Sequence, residues 1–305
     1  MSARIKVATT PEEIDAVFQV RHRVYVEEEG YMSPRPDGRI YDRFDAFPTV
    51  ANIIAVVGDR VVGTIRFMEE SPAGTSPDTY FDFSPYLPTG QKVGASAQLA
   101  AEREYRRRPG LTFSLMGMGY YWALSRGITL LKGAANPDVF PMFKGTGWKP
   151  IAPEFYHEGF KLRVVPLLLD MTKLNDRFLD FISRQEIAHY LKSFERQFQP
   201  EGEVVVKAGD LAGEAFVIVN GHAAVFSADG SREVAALGPG DVFGEVALAI
   251  GSRRIATVVA RSDLDLMVLS REAFEQQIST DPAVAVKLLR LVATRLAQTA
   301  GGRID

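Results

Sequence analysis

The spacing of apolar residues changes three times along this chain, and each change predicts a different element. Near the start, Thr10-Pro11-Glu12-Glu13 reads as a helix opening: Thr10 caps, Pro11 takes the first helical position and Glu13 closes a capping box. Ile14, Val17, Phe18 and Tyr25 follow at helical spacing. The runs 53–57 and 61–67 are apolar and β-branched around Gly58-Asp59-Arg60, which predicts a hairpin. Residues 71–90 collect Pro, Ser, Thr and Gly and predict an irregular loop. A strand at 93–101, a helix at 113–126, a strand at 128–133 and a long strand at 158–170 complete an α/β pattern.

A second zone, 172–198, carries Phe178, Phe181, Ile182, Ile187, Leu191, Phe194 and Phe198 at three- to four-residue intervals, with Ser183 and Glu186 as another capping box. It predicts one or two amphipathic connecting helices. The third zone, 199–278, consists of short apolar runs broken by Gly-containing turns at 201–202, 209–210, 220–221, 229–230 and 238–240, the rhythm of an all-β barrel or roll. A helix over 282–299 closes it, with Val284, Leu288, Leu291, Val292 and Leu296 on one face.

Composition narrows the chemistry. At 305 residues two domains are expected, and a hydrophobic content of 46% can fill more than one core. The formal net charge of -3, from 35 basic and 38 acidic residues, gives no reason to expect nucleic acid as a partner. The absence of cysteine excludes disulfides, thiolate metal sites and cysteine nucleophiles. The four histidines have no ligand-like spacing, so no metal is expected. Neither a signal peptide nor a membrane span is evident, which predicts a cytoplasmic protein without integral membrane contact.

The most specific run is Phe243-Gly244-Glu245-Val246-Ala247-Leu248, followed by Gly251-Ser252-Arg253-Arg254-Ile255-Ala256-Thr257-Val258. Gly244 lets a ligand approach the main chain, the N–H groups of a helical turn can cradle an anion, and Arg254 can present a planar fork to a phosphate. A carboxylate beside an anion, Glu245, makes sense if it accepts from a ligand hydroxyl. These residues, with the turns at Gly202-Glu203 and Gly209-Asp210, resemble the cyclic-nucleotide-binding domain of the catabolite activator protein and the cyclic-AMP-dependent kinase regulatory subunit. The resemblance implies a site from Phe243, Gly244, Glu245, Val246, Ala247, Arg254, Ile255 and Ala256, with Glu245 on the ribose hydroxyl and Arg254 on the cyclic phosphate. Ile255, where relatives selective for cyclic GMP often carry Thr, tilts the expectation to cyclic AMP, with cyclic GMP as the alternative. The chain ends soon after the 282–299 segment, which argues against a helix-turn-helix and a transcription factor.

In the N-terminal half, Phe18 to Tyr31, then Asp42-Arg43-Phe44-Asp45, then Gly63-Thr64-Ile65-Arg66 follow an order that resembles the autoinducer synthases and the N-acyl amino acid synthases, variants of the GCN5-related N-acetyltransferase fold. The resemblance implies an electrostatic cluster of Arg23, Asp42, Asp45 and Arg66 at the acceptor site. A structural ion-pair network is the plainer alternative. It also implies a donor loop in Arg107, Gly110, Leu111 and Thr112 ahead of a helix, for the pyrophosphate of acyl-CoA or the phosphopantetheine of an acyl carrier protein. Asn136 and Phe143-Lys144-Gly145-Thr146-Gly147-Trp148 look like the end of that fold, with Phe140, Phe143 and Trp148 read as core rather than as a cofactor stack. The synthases' Glu-x-x-Arg is replaced here by Ala95 and Gln98. Glu28, Glu29, Asp42 and Asp45 are the candidate general bases, with a solvated helix end as the bland reading of Glu27–Glu29.

The expectation is an α+β chain of two domains: an acyltransferase-like α/β/α domain with a mixed sheet (1–171), a helical linker (172–198) and a β-roll with flanking helices (199–305). Its function would be a cyclic-nucleotide-regulated N-acyltransferase using acyl-CoA or an acyl carrier protein, with an amine such as an amino acid as acceptor. A cyclic-AMP-responsive protein-lysine acetyltransferase and a non-catalytic sensor are the alternatives, and homodimerisation is left open.

Overall fold

The computed structural model describes residues 2–106, 110–174, 195–280 and Val286. They divide into two compact units, one running from Arg4 to 174 and the other from 195 onward. In the first unit the chain forms β1 (Ala3–Val7), α1 (Pro11–His22), a π-helical stretch (Arg23–Glu28), β2 (Val50–Val57), β3 (Arg60–Glu69), β4 (Val93–Ala101) and α2 (Arg103–Arg106). There follow α3 (Leu111–Ser125), β5 (Leu130–Ala135), α4 (Phe140–Gly145), β6 (Lys149–Pro150), β7 (Phe155–His157) and β8 (Leu162–Asp170). The strands form a mixed sheet in the order β1-β2-β3-β4-β5-β8-β6, with β7 also on β8.

Local chemistry explains these elements. Glu13 N–H donates to Thr10 Oγ1 at 3.2 Å while Thr10 N–H donates to Glu13 Oε2 at 3.3 Å, the reciprocal cap that starts α1. The β2–β3 hairpin turns through Gly58 at φ +61°, a conformation that favours glycine. α3 is apolar around most of its surface and lies against β3 so closely that a Cβ on Gly119 would fall 1.8 Å from the Phe67 ring. The 71–90 segment folds as two short 3-10 turns, Ser76–Thr79 and Ser84–Tyr86. It is tied to β5 by buried Lys132, whose ammonium lies 2.8 Å from both Glu70 and Asp78.

One topological detail shapes the site. β4 and β5 are the parallel pair, and they hold register over three residue pairs, from Val93↔Leu130 to Ala95↔Lys132. Beyond Ala95 each strand stays with its other neighbour, so a notch opens between them. At the same point β4 bulges between its pairings with Thr64 and Arg66, and Gln98 takes φ +51°.

The second unit contains β9 (Glu195–Gln199), β10 (Val204–Val206), β11 (Glu214–Asn220), β12 (Ala223–Phe226), β13 (Glu233–Leu237), β14 (Val242–Phe243), α5 (Glu245–Ala249), β15 (Thr257–Ala260), β16 (Leu264–Ser270) and α6 (Arg271–Thr280). The ladders β14-β11-β16-β9 and β10-β15-β12-β13 enclose a core of Val206, Phe216, Ile218, Leu237, Phe243, Val258, Leu264 and Leu266. The anticipated turns hold Gly202, Gly209, Gly221, Gly230 and Gly240, all at positive φ.

Two expectations are corrected. The helical reading of 172–198 extends too far, because residues 195–198 belong to β9: pairing with β16 outweighs their local pattern. The long strand read over 158–170 begins only at Leu162, as β8: residues 158–161 form the turn that joins it to β7 and leaves Lys161 at φ +49°. The rest of the connecting segment (175–194) and the 282–299 helix, apart from Val286, lie outside the described residues. Among the described residues no helix is long and apolar enough to cross a membrane, and no three ligand-type side chains group as a metal site.

Candidate functional site

The ion-pair cluster forms, with one change of member. Arg66 donates from Nη1 and Nη2 to the two oxygens of Asp42, 2.8 Å each, and its Nη1 lies 3.0 Å from Asp45 Oδ2. The second arginine is Arg21, whose Nη1 reaches both Asp45 oxygens at 2.9 Å and whose Nη2 donates to Asn52 at 2.5 Å. Arg23, the residue expected here, points elsewhere: it donates to Glu102 at 2.7 Å and to the Val61 carbonyl at 3.1 Å. Helix geometry is the reason. Val17, Val20, Arg21 and Val24 share the buried face, and a residue two positions beyond Arg21 lies on another side. The i, i+3, i+4, i+7 spacing of this stripe is the signal that identifies Arg21.

Asp42 caps the 3-10 turn Arg43–Ala46, accepting from Phe44 N–H at 2.9 Å, and Asp45 completes the box by accepting from Asp42 N–H at 3.1 Å. Burial alone would raise the Asp45 carboxyl, but the charges of Arg21 and Arg66 and the Asp42 N–H outweigh it and hold it below the ordinary carboxylate range. That makes Asp45 a poor proton acceptor.

Beside the cluster lies a cavity of about 530 Å³. Its walls come from the π-helical stretch and the loop after it (Val24, Tyr25, Tyr31, Met32, Ile40, Asp42), from β4 at the notch (Ala97 to Leu99), from the end of β5 (Ala134 to Asn136), and from Met142, Phe143, His157, Phe160, Leu162 and Val164. Of the anticipated donor loop, Gly110 stands at φ +101° as the residue before α3, Leu111 is buried, and Thr112 lines the cavity. Arg107 lies outside the described residues. Among the described residues no side chain caps α3, a 15-residue helix whose N-cap is Gly110. Ala95 is fully buried against Phe44 and Met68, whereas Gln98 lines the cavity with its Nε2 3.4 Å from Asp42 Oδ2.

The glutamates after α1 are engaged. Arg106 contacts Glu29 at 2.5 Å and Glu28 at 2.6 Å, and Glu28 also accepts from Arg103 N–H at 3.1 Å. The hydrogen bond from Arg106 holds the Glu29 carboxyl below its usual range. Tyr31, which accepts from Asn136 Nδ2 at 3.2 Å, is pushed up by burial and by Glu29. Phe143 and Trp148 are buried and pack edge to face, a core role with one face of Phe143 on the cavity. Sequence reasoning missed Arg21, Tyr31 and His157 as cavity or cluster residues; nothing local marks the last two, which reach the site from a loop and from the end of β7.

In the second unit, Gly244 at φ +80° precedes α5, so the turn from β14 into Glu245, Val246 and Ala247 leaves a helix start facing Arg254. Arg254 donates from Nη1 to the Gly244 carbonyl at 2.9 Å and from Nη2 to the Glu214 carbonyl at 2.7 Å. A Cβ on Gly244 would meet Arg254 Nη1 at 2.5 Å. Burial pulls the guanidinium below its ordinary value while Glu214, Asp210 and Glu245 oppose the shift. Glu245 is buried; Ile255, next to Ala256 and two residues before β15, is 64% exposed; and Phe243 is a core residue whose ring stacks on Phe216 at 5.0 Å. Phe243 therefore positions the turn from inside the core. Arg271 fixes the other side of α5, donating to the carbonyls of Leu248 at 3.1 Å and Ala212 at 2.7 Å.

Comparison with known proteins draws these sites together. The family described as N-acyl amino acid synthase FeeM matches residues 16–170, just over half of the 305 residues. The chain belongs to the FeeM family. The solved structure of FeeM, an N-acyl amino acid synthase from uncultured soil microbes, is similar with a TM-score of 0.50 and 19% identity, covering 57% of this chain and 93% of that one. At that identity the likeness shows a shared fold. The second match of this FeeM-family chain is the cyclic nucleotide-binding domain, over residues 196–281. The cyclic AMP receptor protein of Thermus thermophilus is 33% identical over 118 residues, 38% of this chain and 55% of that protein. The cGMP-dependent protein kinase of Eimeria tenella is 33% identical over 97 residues, 32% of this chain and 10% of that protein. The chain thus spans about half the length of the first of these relatives and a tenth of the second.

Proposed function

We propose that this FeeM-family chain is an N-acyltransferase that takes an acyl group from acyl-CoA or an acyl carrier protein and joins it to an amine, an amino acid being the leading acceptor. The observation that carries the reading is the 530 Å³ cavity, which brings Thr112 at the start of α3, the notch between β4 and β5, and Asp42 of the ion-pair cluster to one space. The donor's phosphates would meet the α3 N–H groups, and its acyl chain would run along the apolar wall of Val24, Met32, Ile40, Met142 and Val164. The acceptor nitrogen attacks the thioester carbonyl carbon, the C–S bond breaks, the nitrogen loses its proton and the leaving thiolate gains one. Asp42 is the carboxylate on the cavity best placed to orient an ammonium, and the two hydrogen bonds from Arg66 keep it fixed.

In the same reading the second unit binds cyclic nucleotide. Arg254 would exchange its two carbonyl acceptors for the cyclic phosphate and Glu245 would take the ribose hydroxyl. Exposed Ile255 has no hydroxyl for a guanine, which favours cyclic AMP over cyclic GMP. Binding would alter the acyl-transfer rate.

The test is direct. The full chain is incubated with a series of acyl-CoAs and free amino acids, with and without each cyclic nucleotide, and products are read by mass spectrometry. An N-acyl amino acid whose rate changes with nucleotide is the expected result. Acylated protein lysines alone would replace the acceptor by protein, and no product with any donor would overturn the enzyme reading. A rate unchanged at saturating nucleotide, with binding demonstrated, would overturn the regulation.

A further inference from the structure

The acyl-transfer reading leaves His157 without a task, yet the fold builds a place for it. The residue closes β7 and lines the cavity. Phe160 N–H donates to its Nδ1 at 3.1 Å and to its main-chain carbonyl at 3.2 Å. The turn between them depends on Gly159, where a Cβ would lie 2.9 Å from His157 Cε1. The Tyr80 and Phe160 rings pack against the imidazole at 4.5 and 4.7 Å, and Tyr80 is the titratable group it rests on. Burial lowers its pKa from the ordinary 6.5, so the ring is neutral at neutral pH. A neutral ring that accepts at Nδ1 carries its hydrogen on Nε2. No described residue accepts from that nitrogen.

The charged and amide donors of the cavity and the neighbouring cluster are already engaged. Arg66 is spent on Asp42, Arg106 on Glu28 and Glu29, Asn136 on Tyr31, and Gln98 Nε2 faces Asp42. We infer that His157 Nε2–H is an uncharged hydrogen-bond donor to a substrate oxygen in this cavity, either the thioester carbonyl or the carboxylate of the acceptor. The inference rests on the acyl-transfer reading. If the partner is the thioester carbonyl, the bond strengthens as that oxygen becomes the alkoxide of the tetrahedral intermediate, and a fixed tautomer needs no reorganisation to provide it. If the partner is the carboxylate, His157 selects acceptors that carry one.

The experiment compares the wild type with His157→Phe and His157→Gln, in N-acylation kinetics from pH 5.5 to 8 and in melting temperature. With a carbonyl partner, His157→Phe lowers kcat about 100-fold with little change in KM. With a carboxylate partner it raises KM for the amino acid about tenfold and leaves a simple alkylamine unaffected. In either case His157→Gln recovers part of the loss, and the part of the wild-type acid limb due to His157 disappears in both variants, leaving the limb set by the acceptor ammonium, because protonation at Nδ1 would displace the Phe160 N–H. An active wild type matched by His157→Phe in kcat, KM and pH profile overturns the inference. So does equal loss in both variants accompanied by a lowered melting temperature. A wild type that forms no product fails the acyl-transfer reading instead. The Nε2–H resonance, assigned by its absence in His157→Gln, then decides: a shift on adding acyl-CoA or amino acid supports the contact, and no shift with either sinks it.

Discussion

Arg66 and Asp42 meet side by side, each guanidinium Nη 2.8 Å from one carboxylate oxygen, at the edge of the cavity. The pairing matters because Arg66 is fully buried while the Asp42 side chain is 35% exposed: one partner is fixed, the other is presented. A lysine could supply the charge without the fork. Arg66→Lys should therefore fold but form N-acyl product roughly 10- to 100-fold more slowly, since Asp42 loses its orientation. Product formation by mass spectrometry checks this, and a rate equal to the wild type would show that the orientation of Asp42 is unimportant.

Arg21 and Arg23 should differ sharply in stability experiments. Arg21 and Asp45 are both nearly inaccessible, with side-chain exposures of 0% and 3%, so Arg21→Met leaves a buried carboxylate short of one partner and should cost about 3 kcal/mol. Arg23 is 27% exposed, and its partner Glu102 keeps Arg60, so Arg23→Met should cost about 1 kcal/mol or less. Urea unfolding of the full chain, followed by tryptophan fluorescence from Trp122 and Trp148 in the first unit, distinguishes them.

Asp45 should leave a signature in acid. Its folded pKa lies below the ordinary value of 3.8, so between the two values the unfolded chain binds more protons. The stability Asp45 contributes is therefore fully present above that ordinary value and is lost as pH falls through it towards the lower folded one. Thermal melts of wild type and Asp45→Asn should show a steeper acid loss in the wild type; parallel curves would contradict the assignment.

Gly244→Ala should abolish cyclic-nucleotide binding. The new Cβ would meet Arg254 Nη1 at 2.5 Å, and φ +80° is strained for any residue with a side chain. Calorimetry should show no heat with cyclic AMP or cyclic GMP. The thermal shift with acyl-CoA should persist, and its loss would mean that the variant is unfolded.

Much of this was written in local pattern. The capping box at Thr10 and Glu13, the hairpin around Gly58 and the turns of the roll depend on neighbours a few residues apart, so they can be read in order along the chain. The same holds for Gly244, Glu245 and Arg254, which lie within one short run and keep their relation in the fold. The stripe Val17, Val20, Arg21, Val24 was also legible, and it marks Arg21 once the helix face is counted.

What the sequence by itself determined was therefore the two-domain plan, the elements with strong local signals and the nucleotide turn. Tertiary structure alone decided that 195–199 is a strand on β16, that β4 and β5 part after Ala95, and that His157 and Tyr31 come to the cavity wall beside Asp42. The physical reason is range. Caps, turns and helix faces are settled by bonds and steric limits between near neighbours. Strand partners and cavity walls are settled by burial and pairing between residues up to about a hundred positions apart, as in the Asn136–Tyr31 bond across 105 residues.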